Sequence, residues 1–331
     1  MGSNKYMVAT ICMTYNQAPY IEETLHGFAI QDTTFPVAYI VIDDASTDGE
    51  QKIIKGWVQR FLTTCKNSNI WQIKPYGQIA IASLNGKPNS LFVMVLLSEN
   101  HYRKKSKFGY VEEWWSNSKY HARCEGEDYW THPQKLQKQV DFLESHPDYS
   151  VCVHNLQKYI EKDECFNEGY RYKESFSFDI KGYLKYWPTH PLTSVVRASV
   201  EPSLETRKKY KYFRDNHLFY YFLQKGQGYY MADVMGVYRV TNKGIWTSLS
   251  KKGQVKIDLL CYLELLNHFS DDNALRRHCV ELYALYLFYS MSDKQDNEKI
   301  DTTPFTIKDK LLAYLMVGYR YVRVLFNKEE K

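Results

Sequence analysis

No stretch of this 331-residue chain approaches the ~20 consecutive apolar residues that a bilayer-crossing helix needs. Its N-terminus also lacks the apolar core of a signal peptide. The seven cysteines form no Cys-x-x-Cys pair, and an odd number suggests reduced thiols in a cytoplasmic protein. Concentrated charge is missing too: the net +5 is spread along the chain, which argues against nucleic-acid binding. No Gly-x-Gly-x-x-Gly follows a predicted strand, which disfavours a dinucleotide-binding dehydrogenase.

What the chain does have begins near its N-terminus. Residues 7–13 read as a buried strand that runs straight into Thr14-Tyr15-Asn16. Ile21, Leu25 and Phe28 then recur at helical spacing. A second strand over 37–42 ends in Asp43-Asp44-Ala45-Ser46-Thr47-Asp48-Gly49. Polar residues thus sit at the C-terminal tips of two strands joined by a helix, where open parallel sheets bind ligands. Asp43 and Asp44 serve equally well as turn formers. Ser46 or Thr47 can cap the next helix, and Thr47 with Glu50 has capping-box spacing.

A second polar centre lies at Glu125-Gly126-Glu127-Asp128, just before a helix that opens at Pro133. Carboxylates this close repel unless a cation sits among them. A divalent metal with oxygen ligands would answer that, and so would a solvated acidic turn. Further strands are expected at 69–74, 91–97, 120–124 and 150–154, a loop at 76–88 and an irregular excursion over 156–190. The alternation of strand and helix predicts a mostly parallel sheet with covered faces. Asp215 opens a helix with Leu218, Phe219 and Phe222 on its apolar face, where a carboxylate favours the exposed N–H groups.

Taken together, Met13-Thr-Tyr-Asn16, Ile42-Asp-Asp-Ala-Ser-Thr-Asp-Gly49 and Glu125-Gly-Glu-Asp-Tyr-Trp130, followed by Pro133 and Lys135-Leu136-Gln137, resemble the family 2 nucleotide-sugar glycosyltransferases. The resemblance runs from about residue 6 to about residue 250. It implies an α/β GT-A fold, a Rossmann-like nucleotide-binding mixed sheet flanked by helices, with a C-terminal helical appendage. The implied domain spans 5–250, with a nucleotide-sugar-binding half at 6–155 and an acceptor half at 156–250, and leaves 251–331 as the helical region.

The resemblance also implies roles. Thr14, Tyr15, Asn16, Asp43, Asp44, Ser46 and Glu125 would bind the donor, most simply a UDP-sugar. Arg103, in the basic segment 101–107, would lie over its diphosphate, although a solvated basic turn explains that segment as well. Glu127 and Asp128 would hold Mg2+ or Mn2+, and Asp215 would be the general base of an inverting displacement. Trp130, Thr193, Ser194 and Trp246 would line the acceptor side, with buried structural hydroxyls as the other reading of Thr193 and Ser194. The acceptor would be a glycan or a lipid-linked glycan, as in polysaccharide assembly.

Three departures stand out. Glu127 replaces the Asp usual at that position, no His follows Tyr238-Arg239, and Arg214 and Asn216 flank the base. The first two also fit a catalytically weak relative acting as a binding or scaffold subunit. A sugar nucleotidyltransferase is disfavoured because Tyr15-Asn16-Gln17 stands where its Gly-rich phosphate loop belongs. In the last helix, Leu311, Leu312, Leu315 and Met316 mix with Lys308, Lys310, Arg320 and Arg323. Such a helix either docks on the protein or rests peripherally on the anionic inner face of a membrane.

Overall fold

The computed structural model describes the chain apart from residues 1–3, 64–69, 103, 105, 171, 242, 243, 245, 293–299, 330 and 331. It divides into two compact units: Met1–Ser177 with Pro188–Glu201 and Lys225–Val240, and Phe178–Trp187 with Pro202–Gln224 and Thr241–Lys331. The chain therefore passes between the units several times.

The first unit is built on β1 (Tyr6–Thr14), α1 (Ile21–Ala29), β2 (Val37–Asp43), α2 (Glu50–Phe61), β3 (Gln72–Lys74), β4 (Gly77–Leu84) and β5 (Lys87–Leu97). It continues through α3 (Glu112–Ser116), β6 (Ser118–Arg123), β7 (Tyr129–Trp130), α4 (Lys135–Ser145), β8 (Tyr149–Ile160), β9 (Cys165–Glu168) and β10 (Phe176–Phe178). The later strands are β11 (Val195–Arg197) and β12 (Gln227–Val240). All belong to one mixed sheet in the order β10-β12-β8-β11-β6-β1-β2-β5-β4-β3, with β7 on β12 and β9 on β8.

The centre of the sheet is parallel: β1 pairs with β2 and β6, and β2 with β5. Every residue of β2 is buried, as expected of a parallel strand covered on both faces. Alternate side chains feed two cores. Tyr39 and Val41 join Leu25, Phe28, Trp57 and Leu136 on one face, while Ala38, Ile40 and Ile42 meet Trp114 and Trp115 on the other.

Two expectations are corrected. Of residues 76–88, Tyr76 lies in a turn and the rest form no loop; they belong to the antiparallel β4–β5 hairpin, which turns at Asn85-Gly86 with Gly86 at φ 76°. Asn-Gly is a strong two-residue hairpin signal, because such turns need positive φ. The segment 156–190 is also more regular than expected, holding the end of β8, then β9, β10 and a helix.

The second unit holds α5 (Ile180–Tyr186), α6 (Leu204–Lys208), α7 (Asp215–Leu223), α8 (Lys251–His268), α9 (Asn273–Ser292) and α10 (Ile307–Glu329). Its core is aromatic: Tyr183 meets Tyr262 hydroxyl to hydroxyl at 3.1 Å, and buried Tyr220 donates to Asp272 at 2.6 Å. No helix among the described residues is long and apolar enough to cross a membrane.

Candidate active site

The tips of β1 and β2 are locked together by their own polar residues. Asp44 N–H donates to the Thr14 carbonyl at 2.9 Å, continuing the sheet beyond its last strand pair. Asn16, at φ 55°, donates from its backbone to Ser46 Oγ at 2.8 Å and accepts Thr47 N–H on Oδ1 at 2.8 Å. Asn is among the few side chains that tolerate this left-handed conformation. Ser46 N–H in turn donates to Asp43 Oδ1 at 3.0 Å. Tyr15 stays outside this lattice, with 46% of its surface exposed.

Glu50 is the hub, and the sequence reading missed it. Its buried carboxylate accepts from Thr14 Oγ1, from Gln17 N–H at 2.8 Å and from Ser46 Oγ at 2.8 Å. Burial pushes its pKa up, and these hydrogen bonds pull it back. The expected Thr47–Glu50 capping box is therefore absent. Gly49 caps α2 at φ 97°, and Asp48 Oδ1 takes the Glu50 N–H at 3.1 Å.

Both aspartates at the β2 tip are buried. Gln51 Nε2 donates to Asp43 Oδ1, while Asp43 Oδ2 has no hydrogen-bond partner among the described residues. Asp44 accepts His101 N–H at 2.7 Å and forms an ion pair with Lys107. The basic segment thus closes on Asp44 through Lys107, whereas Arg103 lies outside the described residues.

The acidic turn after β6 is seated directly on the β1 tip. A Cβ on Gly126 would stand 2.1 Å from Thr14 Oγ1, so only glycine permits this approach. From α1, the Thr24 hydroxyl reaches the carbonyls of Gly126 and Asp128 at 2.9 and 2.7 Å. Glu125 and Glu127 are half-buried and Asp128 fully buried. Burial raises the Asp128 pKa well above the carboxylate range, and the charge of Glu127 adds to it. Glu127 is raised as well, mainly by burial.

The counter-charge comes from Arg239 on β12. Its backbone N–H donates to Asp128 Oδ1 at 2.9 Å, and its guanidinium pairs with Glu23. That guanidinium lies 4.6, 5.3 and 5.7 Å from the ring centres of Tyr20, Tyr129 and Tyr159. A cation so enclosed lowers the pKa of both Glu127 and Asp128, partly offsetting burial. The sequence signal was Tyr238-Arg239 itself, which had been read only for the His that does not follow it.

Three of the expected acceptor-side residues lie in the interior. Trp130 is buried, its Nε1–H on the Leu192 carbonyl at 2.9 Å and the Lys135 amine 4.0 Å from its ring centre. Thr193 and Ser194 donate their hydroxyls to the carbonyls of His190 and Pro191 at 2.8 and 2.9 Å.

In the second unit, Asp215 is exposed at the first position of α7. Arg214 N–H donates to His217 Nδ1 at 3.3 Å, which helps secure the helix start. Next to it, Asn216 Nδ2 donates to Asp258 on α8 at 3.0 Å. Burial lifts the Asp258 pKa to about 6, against the lowering effect of Asn216 and Arg214. No sequence pattern marked Asp258. Trp246 is half-buried, and its carbonyl accepts Gln254 Nε2 at 3.0 Å.

Comparison with known proteins agrees with this layout. The family model described as "Glycosyl transferase family 2" matches residues 10–71, which run from β1 to the end of α2 and beyond. Uncharacterized proteins of Mycobacterium tuberculosis and Mycobacterium bovis are 34% identical over 153 residues, covering 45% of this chain and 35% of each relative. The crystal structure of Staphylococcus aureus TarS 1–349 with UDP superposes at TM-score 0.51 and 16% identity, over 88% of this chain and 73% of that one. Its complex with UDP-GlcNAc gives 0.50 and 16%, over 94% and 80%. The chain therefore has a GT-A fold, and its stretch 10–71 is similar to glycosyl transferase family 2.

Proposed function

We propose that the chain transfers a sugar from a nucleoside-diphosphate donor to a hydroxyl of a glycan or lipid-linked acceptor, with inversion at the anomeric carbon. The observation that carries this reading is the acidic turn pressed onto the β1 tip through Gly126 and Thr14, beside the locked Asp43–Ser46 turn. The fold's likeness to a protein solved with UDP and with UDP-GlcNAc favours a uridine donor. Tyr15, exposed above the two tips, would stack on the base. Asp43, with one oxygen unpartnered among the described residues, would accept from the nucleoside. Free thiols at Cys12, Cys124, Cys152, Cys165, Cys261 and Cys279 fit a reducing compartment, which we take to be the cytoplasm.

Glu127 and Asp128 offer hard oxygen donors on adjacent residues, a set suited to Mg2+ or Mn2+. No three His, Cys, Asp or Glu side chains gather in a metal-holding group among the described residues, so donor phosphate oxygens would complete the shell. A cation held there would stabilise the charge that grows on the departing diphosphate. Glu127 reaches one methylene further than the Asp usual at that position. Asp215, exposed at the first position of α7, would take the acceptor proton as the hydroxyl attacks.

The second reading, a weak relative that binds donor without turnover, is favoured by Glu127 and by the absence of a His after Arg239. Calorimetric titration of the wild type and Glu127→Ala with UDP, each with and without Mn2+, tests the site. Tight binding that needs Mn2+ and weakens at least ~10-fold in the variant is expected, the size seen when a supporting metal ligand is lost. Equal, metal-independent binding by both proteins would remove Glu127 from any metal role.

A further inference from the structure

Helix α10 presents a face to solvent that its packing does not use. The helix begins firmly: Thr306 Oγ1 takes the Asp309 N–H at 3.2 Å, and Asp309 accepts the Thr306 N–H at 2.8 Å. Ala313 and Val317 are buried, on the side that packs against α9. At ~100° per residue, Leu311 and Leu315 fall on the opposite side. There Ile307 is 81% exposed, Leu311 60%, Leu315 72% and Tyr319 69%, an unbroken series at every fourth residue. Leu312 and Tyr314 flank it, also exposed.

The charges around this stripe are one-sided. Lys308 is exposed on the stripe's own side, whereas exposed Arg320, seven residues on from Ala313, and half-exposed Lys310 project from nearer the packed side. The acidic residue of this stretch, Asp309, is already held by Arg276 at 3.1 Å and by Thr306. Asp301 lies near Lys310, so the basic ends of the stripe, Lys308 and Arg320, are what complement an anionic, apolar-cored surface. Tyrosines at the polar–apolar boundary suit the headgroup level of a bilayer. The helix has 23 residues, yet it does not qualify as a membrane span, so it would lie in the interface plane.

We propose that the exposed face of α10 docks the protein on an anionic lipid bilayer. The stripe's apolar side chains enter the acyl boundary, Lys308 meets the headgroups, and the long Arg320 side chain reaches them from the helix's far end. This surface lies in the second unit and does not depend on the transfer chemistry, so either claim survives failure of the other. If both hold, α10 keeps the enzyme where a lipid-linked acceptor would be.

The test uses the full chain and sedimentation with vesicles of phosphatidylcholine alone or mixed with phosphatidylglycerol. The wild type is expected to pellet with the mixed vesicles and to be released by high salt. Leu311→Ser/Leu315→Ser should lower partitioning by about tenfold or more, since each buried CH2 contributes several-fold. Lys308→Glu/Arg320→Glu should do the same without touching the apolar stripe. Both substitutions are at exposed sites, so thermal unfolding should match the wild type. Equal recovery of wild type and variants with anionic vesicles would overturn the proposal. So would a concentration-dependent dimer that Leu311→Ser/Leu315→Ser dissolves while the wild type ignores the vesicles.

Discussion

Asp215→Asn should lower sugar-transfer turnover by about 100- to 10,000-fold, the range that a positioned general base contributes. The substitution is isosteric and the site exposed, and His217 helps secure the start of α7, so folding should be untouched. UDP affinity should also stay at the wild-type value. The control is Asp258→Asn, since Asp258 shares the α7 start through Asn216. Its pKa, lifted by burial to about 6, leaves it protonated below that pH and charged above it. If Asp258 influences the base, removing its titration should flatten the acid limb of the kcat profile near pH 6. Full turnover by Asp215→Asn, with loss in Asp258→Asn, would move the base to α8.

Arg239→Met should destabilise the fold by about 3–5 kcal/mol, the usual cost of stripping the partner from buried charge. Arg239 is 6% exposed, and its guanidinium sits among three tyrosine rings. Without it Glu127 and Asp128, whose pKa values burial already raises, lose the positive charge nearest their turn. They would then hold protons to higher pH. The sign follows from linkage. A carboxyl whose folded pKa exceeds its unfolded value stabilises the fold only at low pH, and loses that contribution as pH rises through the folded value. The deficit of the variant should therefore grow from acid to neutral pH. Urea unfolding at several pH values reads this directly, and Arg239→Lys should recover part of the loss. A variant as stable as wild type at every pH would mean that the acidic turn is held by its backbone contacts alone.

The parts of the fold that were legible in the sequence are those where local pattern and tertiary role coincide. β1 and β2 are apolar runs ending in polar tips, α4 shows Leu136, Val140 and Leu143 at helical spacing, and Asp215 stands at a helix start. The β4–β5 hairpin was missed because Gly77, Gly86 and Pro88 together read as loop, although Asn85-Gly86 carried the turn. At the site, sequence proximity brought out Asp43, Asp44, Glu125, Glu127 and Asp128. What it could not bring out were partners distant in sequence: Glu50 beneath Thr14, Lys107 on Asp44, Arg239 on Asp128 and Asp258 on Asn216. Each looks like an ordinary surface charge on its own element. Only the sheet order and helix packing reveal them as counter-charges or hydrogen-bond hubs. The polar groups of Trp130, Thr193 and Ser194 are likewise held by backbone carbonyls that only the fold brings to them.

The most direct measurement is release of nucleoside diphosphate from UDP-, GDP- and dTDP-sugars by the full chain, with Mn2+ and with chelator. Release from one donor class, best of all a UDP-sugar, that needs the metal and disappears in Asp215→Asn on addition of acceptor is the predicted result. No release from any donor under either condition would contradict catalysis and leave a donor-binding protein on a glycosyltransferase fold.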